Sequence, residues 1–135
     1  MTTVGEVLPE LAVTMTATRI VAGALATRDF MPVHHDRDYA NAQGAPDIFM
    51  NIMSTNAWCS RYLTDWAGPD AMVRNLSIRL GAPVFPGAVL RFEGAVTAVS
   101  AEGDEEVVEV AFTAATDLGA HATGTAVLTV PAGSI

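Results

Sequence analysis

Asp29 and His34 stand five positions apart, separated by Phe30-Met31-Pro32-Val33, and no other pair in the chain is so well suited to proton chemistry. A carboxylate and an imidazole brought together can share one water molecule, take a proton from it as general base and return one to carbon as general acid. Pro32 limits the intervening backbone and helps to hold both side chains on one side. Hydration of an α,β-unsaturated thioester needs those two roles and a hydrogen-bond donor for the enolate oxygen. An Asp near a His is common by chance, so the pair needs support from the rest of the chain. His35 is an alternative imidazole, weighed against a solvent-exposed or supporting role. The run His34-His35-Asp36-x-Asp38 also offers metal-ligand types. It lacks a second ligand cluster, since His121 is the only other histidine and Cys59 falls in a predicted helix, so no metal is expected.

The elements that must position this pair belong to a chain of 135 residues, enough for one domain (1–135) with a real core and too short for two. Half of the residues are hydrophobic, which argues against disorder. No apolar run reaches the roughly 18–20 residues that cross a bilayer, and the first residues lack a basic stretch followed by an apolar one, so neither a membrane span nor a secretory signal is expected. A single cysteine cannot form an internal disulfide, which fits a reducing cytoplasm. The net charge of −8 argues against a nucleic-acid partner. All seven basic residues are arginines, which excludes Schiff-base chemistry on lysine and leaves few cations for a polyphosphate, so part of that charge falls to a partner subunit.

Along the chain, residues 19–26 are rich in Ile, Val and Ala and read as a first strand, running into a polar loop with a short turn at 27–38. Gly44 and Pro46 punctuate the stretch before the next element. Residues 48–66 read as a helix apolar nearly all round in its first half, hence buried on most sides, and Gly68-Pro69 ends it. The period then changes. Residues 72–80, 89–99, 106–116 and 120–130 read as strands, the last three joined by Glu102-Gly103-Asp104 and Asp117-Leu118-Gly119, and Pro86-Gly87 reads as a turn. One strand, one buried helix and a run of antiparallel strands make an α+β arrangement. A sheet curled around a single central helix, the hotdog fold, satisfies it. Met50, Met53, Trp58 and Cys59 read as core in preference to substrate wall, and Tyr62 and Trp66 as packing anchors or a subunit contact.

The segment Arg28-Asp29-Phe30-Met31-Pro32-Val33-His34-His35-Asp36-Arg37-Asp38-Tyr39-Ala40 resembles the motif Gly-Asp-x-Asn-Pro-Leu-His-x-Asp-x-x-x-Ala of the MaoC-like hydratases, also called (R)-specific enoyl-CoA hydratases. Asp29, Pro32, His34, Asp36 and Ala40 fall in register. Gly44, Pro83-Val84-Phe85-Pro86-Gly87, Asp117-Leu118-Gly119 and Gly124-Thr125-Ala126 extend the likeness over most of the chain. Two positions depart: Arg28 replaces a glycine and Met31 an asparagine. Arg28 would either depress the Asp29 pKa or point to solvent, and Met31 would suit a bulkier apolar substrate or lower the activity. Residues 25–30, 33–38 and 64–69 are similar to the small MaoC-like subunit of bacterial steroid side-chain enoyl-CoA hydratases.

The resemblance implies hydration of a trans-2-enoyl-CoA on a bulky, steroid-type acyl chain, with Asp29 and His34 activating water, Asp36 orienting the loop and no cofactor. It implies as partner a second MaoC-like subunit, in a heterodimer or heterotetramer, or failing that a homodimer. In the family a backbone N–H at the start of the central helix holds the thioester oxygen, near Asn51 here. A helix capped by Asp47 would already engage that amide, whereas a start at Met50–Asn51 would free it. Phe85, with Val84, either lines an acyl tunnel or anchors its loop in the core. Two other functions compete. A hotdog thioesterase would use a carboxylate on the central helix or in the opposing subunit, and residues 48–64 contain none, which counts against it. A non-catalytic stabilising subunit would account for Arg28 and Met31.

Overall fold

The computed structural model describes residues 2–135. Its elements are β1 (Leu11–Met15), α1 (Ala17–Ala26), a 3-10 turn (Pro32–His34), α2 (Arg37–Ala42), α3 (Ile52–Ala67), β2 (Met72–Leu80), β3 (Ala88–Glu102), β4 (Glu105–Thr116) and β5 (Gly119–Pro131). The five strands form one sheet in the order β1-β3-β4-β5-β2, antiparallel at every pairing. This is the expected hotdog architecture.

The meander β3–β4–β5 follows directly from its residues. In β4, Glu106, Val108, Val110, Phe112 and Ala114 are buried while their neighbours are not, a period of two that gives the strand one inner face. Glu102 pairs with Glu105 across Gly103-Asp104, with Gly103 at φ 61, and Thr116 pairs with Gly119 across Asp117-Leu118. Glycine tolerates that left-handed backbone because it has no Cβ. The inner face receives α3 through Cys59, Tyr62, Leu63 and Ala67, and the Tyr62 ring stacks on Phe92 with centroids 5.4 Å apart. Burial raises the Cys59 thiol to about 12, so this residue is core and not a nucleophile.

Four expectations need correction. Residues 19–26 lie in a helix, α1. Thr16 caps it by accepting the Arg19 N–H at 3.1 Å, its alanines favour helix, and the buried pair Ile20 and Ala24 has helical spacing. The first strand comes earlier, at β1, where Val13 and Met15 alternate inward against β3. The central helix starts at Ile52 rather than residue 48, with Asn51 as its cap in place of Asp47. Asp47 is engaged elsewhere, accepting the Ile48 N–H at 2.7 Å and pairing with Arg37 at 3.1 Å. Finally, α3 is not buried all round: Ile52 and Met53 are exposed, so Met53 is not core in this chain.

Candidate functional site

Asp29 is held by the way α1 ends. The Arg28 N–H bonds the Leu25 carbonyl at 3.1 Å and the Asp29 N–H bonds the Ala24 carbonyl at 2.9 Å. Those two bonds make a Schellman cap, whose turning residue must be left-handed. That residue is Arg28, at φ 57, among the described residues the only non-glycine with positive φ. The position therefore suits glycine, and an arginine there costs about 1 kcal/mol of strain. The cap delivers the Asp29 backbone to a fixed place, and the Met31 N–H then takes Asp29 Oδ1 at 3.3 Å.

His34 enters from the 3-10 turn that Pro32 opens. Its Nδ1 lies 2.6 Å from the Phe49 carbonyl and its Nε2 3.3 Å from Asp29 Oδ2. A carbonyl only accepts, so Nδ1 carries a hydrogen and Nε2 is the nitrogen left to exchange a proton. Two lone pairs would repel at the Nε2–carboxylate contact, so the pair is favourable only with a proton or a water hydrogen between them. The Phe49 ring meets the imidazole edge-on at 5.1 Å. His35 is exposed, with Nε2 3.4 Å from the Phe30 carbonyl, and is outside this arrangement.

The third member is Asn51, 1% exposed. Its Oδ1 accepts the Ser54 N–H at 3.2 Å, closing the N-terminus of α3. Its Nδ2 donates to Thr27 Oγ1 at 2.9 Å and to Asp29 Oδ2 at 3.2 Å. Burial pulls the Asp29 pKa upward, but the Asn51 amide, the Met31 N–H and the His34 charge outweigh it and hold the carboxyl below its ordinary value. Arg28 is not among the groups that lower it.

Loops on either side are tied to this corner. Asp36 caps α2 by accepting the Tyr39 N–H at 3.2 Å, and Arg37 clamps Asp47 across to the segment before α3. The Phe49 N–H bonds the Val33 carbonyl at 3.2 Å, and the Met50 N–H bonds Val84 at 3.0 Å. Phe85, half-buried, follows Val84 in the turn that closes with Ala88. The amides of Asn51, Ile52 and Met53 precede the first intrahelical bond of α3, Thr55 N–H to the Asn51 carbonyl at 3.2 Å, so the helix does not consume them.

The structure thus brings Asp29, His34 and Asn51 together and places Met31 beside them, its backbone on Asp29 and its side chain exposed. Phe85 makes no hydrogen bond or ring contact with the dyad among the described residues. Exposed Leu25, Phe30, Met31, Ile52 and Met53 flank the corner, an apolar rim without a cover in the single chain. Sequence reading missed Thr27, the Phe49 carbonyl and the buried His121, whose Nδ1 lies 2.7 Å from the Ala82 carbonyl and whose Nε2 lies 2.8 Å from Thr55 Oγ1. None of these pairings leaves a local pattern.

Known proteins share this arrangement of elements. A model of the family described as MaoC like domain matches residues 2–117. The chain is 46% identical over 130 residues to the 3-oxo-4,17-pregnadiene-20-carboxyl-CoA hydratase beta subunit of Mycobacterium tuberculosis, covering 96% of this chain and 98% of that one. A chain in the crystal structure of the ChsH1-ChsH2 complex from Mycobacterium tuberculosis superposes with a TM-score of 0.90 at 46% identity, over 96% of this chain and 99% of that chain. The (R)-hydratase from A. caviae involved in PHA biosynthesis superposes with a TM-score of 0.85 at 25% identity, over 96% of this chain and 98% of that chain.

Proposed function

The chain belongs to the MaoC-like domain family, and on that premise we propose that it hydrates a trans-2-enoyl-CoA thioester with a steroid-type side chain, Asp29 and His34 acting as its acid/base pair. The carrying observation is the contact between His34 Nε2 and Asp29 Oδ2 at 3.3 Å, with Nδ1 committed to the Phe49 carbonyl. A water held by both groups gives its proton to the dyad as its oxygen bonds the β-carbon. The π electrons move toward the thioester carbonyl, and the α-carbon takes a proton back, so water's elements are added without redox change. An amide that opens α3, at Asn51 to Met53, is placed to stabilise the enolate oxygen.

The substrate class is supported by the likeness to a subunit named for hydrating 3-oxo-4,17-pregnadiene-20-carboxyl-CoA. Exposed Met31 and half-buried Phe85 are the side chains proposed to meet the acyl group. The uncovered apolar rim and the free edge of β2, where Met72 and Leu80 are exposed, support assembly with a second MaoC-like subunit. The related crystal structure is of a two-component complex. The whole chain, 1–135, is proposed as one MaoC-like domain working in the cytoplasm. No helix among the described residues is long and apolar enough to cross a membrane. A thioesterase is not favoured, because the sole carboxylate on α3, Asp65, sits in its last turn, paired with Arg61 at 3.4 Å.

The test is the loss of enoyl-thioester absorbance when the chain, with any co-purifying subunit, meets that steroid enoyl-CoA. Asp29→Ala and His34→Ala are expected to stop it. Normal turnover in either contradicts the assignment.

A further inference from the structure

Asn51 spends every polar atom of its side chain at once. Oδ1 faces the Ser54 N–H, one Nδ2 hydrogen goes to Thr27 Oγ1 and the other to Asp29 Oδ2. Because the donor at Ser54 claims the oxygen, the amide cannot rotate, and its nitrogen must face the carboxylate. The backbone is fixed as well: the Asn51 carbonyl accepts from the Thr55 N–H at 3.2 Å and lies 3.3 Å from Thr55 Oγ1, the hydroxyl that His121 holds from β5. The bonds to Ser54 and Thr55 are buried and those to Thr27 and Asp29 partly so, an environment in which such bonds are strong and a missing partner is costly.

We infer that Asn51 is a positioning residue for the reaction, its buried amide orienting the Asp29 carboxylate from the N-cap of α3. The inference rests on the proposed role of Asp29 and extends it. Met31 stands where the resembling motif has an asparagine, so the motif segment brings no side-chain amide of its own; the amide comes instead from Asn51, 22 positions beyond Asp29. The helix start and the carboxylate are thereby one unit, so an amide that opens α3 and the base keep a fixed separation. The titratable group facing Asp29 is His34 from the 3-10 turn; the C-cap of α1 contributes Thr27 and the N-cap of α3 contributes Asn51, both uncharged.

Capping and positioning can be separated, because serine and aspartate cap helices about as well as asparagine, yet an ionised aspartate has no hydrogen to donate and the shorter serine side chain has no Nδ2 to reach Asp29 Oδ2 while its oxygen caps the Ser54 N–H. Asn51→Ser removes the donor and Asn51→Asp replaces it with a like charge, while both keep the cap. Two readouts apply to the chain with any co-purifying subunit: the titration midpoint of the 13C-labelled Asp29 carboxyl by NMR, and the acid limb of the kcat/KM profile with the steroid enoyl-CoA. Both are expected to move to higher pH in Asn51→Ser and further in Asn51→Asp. Thermal stability should stay near that of the unaltered chain, and kcat should fall while KM changes little. Unmoved midpoints and limbs in both variants would overturn the inference and leave Asn51 a helix cap. Normal turnover in Asp29→Ala, with the midpoints still shifted, would instead overturn the role of Asp29 while the amide–carboxylate contact stood.

Discussion

The β3–β4–β5 meander and the corner between α1 and α3 are built by different physics. In the meander, backbone ladders run over long registers and inward side chains repeat every second residue, so each contact resembles the next. In the corner, helix ends are finished by individual groups: a Schellman cap at Arg28, a 3-10 turn at Pro32 and a side-chain cap at Asn51. The meander stores stability in area removed from water. The corner stores geometry, and geometry is what a proton-transfer pair requires. A substitution in the first should therefore cost folding, and one in the second should cost reaction rate or a local adjustment.

The largest stability effect is expected in the meander. Phe92 is fully buried and stacks on Tyr62, so Phe92→Ala should cost about 3–5 kcal/mol in urea unfolding. A smaller cost is expected where the corner meets the core. A Cβ at Gly23 would collide with Ser54 Oγ, so Gly23→Ala should lose about 1–3 kcal/mol. Ser54 Oγ is buried without a partner, so Ser54→Ala should recover much of that loss in the double variant, a non-additivity that denaturation curves would expose.

His121 gives the comparison a pH axis. Burial lowers its pKa below 6.5, against the opposing pull of the Ala82 carbonyl. As pH falls below 6.5 the unfolded chain takes up the proton first, so stability should decline with falling pH from there. His121→Gln should cost about 1 kcal/mol at neutral pH through its hydrogen bonds and lose this part of the acid slope in thermal melts. The smallest effect has the opposite sign. Arg28→Gly removes left-handed strain and should raise stability by about 0.5 kcal/mol, leaving the Asp29 titration in place.

The same contrast explains what could be read in the residues. Residues 106–116 alternate and Gly103 and Asp117-Leu118 mark their turns, so the meander is visible locally. α1 was hidden because Ile20 and Val21 among alanines suit a strand as well as a helix, and the deciding signal is the hydroxyl of Thr16. The start of α3 was ambiguous because Asp47 and Asn51 are both capping types; which one caps depends on Arg37, which occupies Asp47 from another helix. Asp29 and His34 were legible because they lie five positions apart on one loop. Asn51 on Asp29 and His121 on Thr55 were not, since those contacts span 22 and 66 positions and exist only once the chain has folded.

The central claim is that the corner works as an acid/base pair rather than as a structural ion pair. Asp29→Asn keeps the shape of the side chain and removes its basicity, and the measurement is the rate of enoyl-thioester absorbance loss in the intact assembly. A fall of about 100-fold or more, with the melting temperature nearly unchanged, is the predicted result. A rate close to that of the unaltered chain would contradict it.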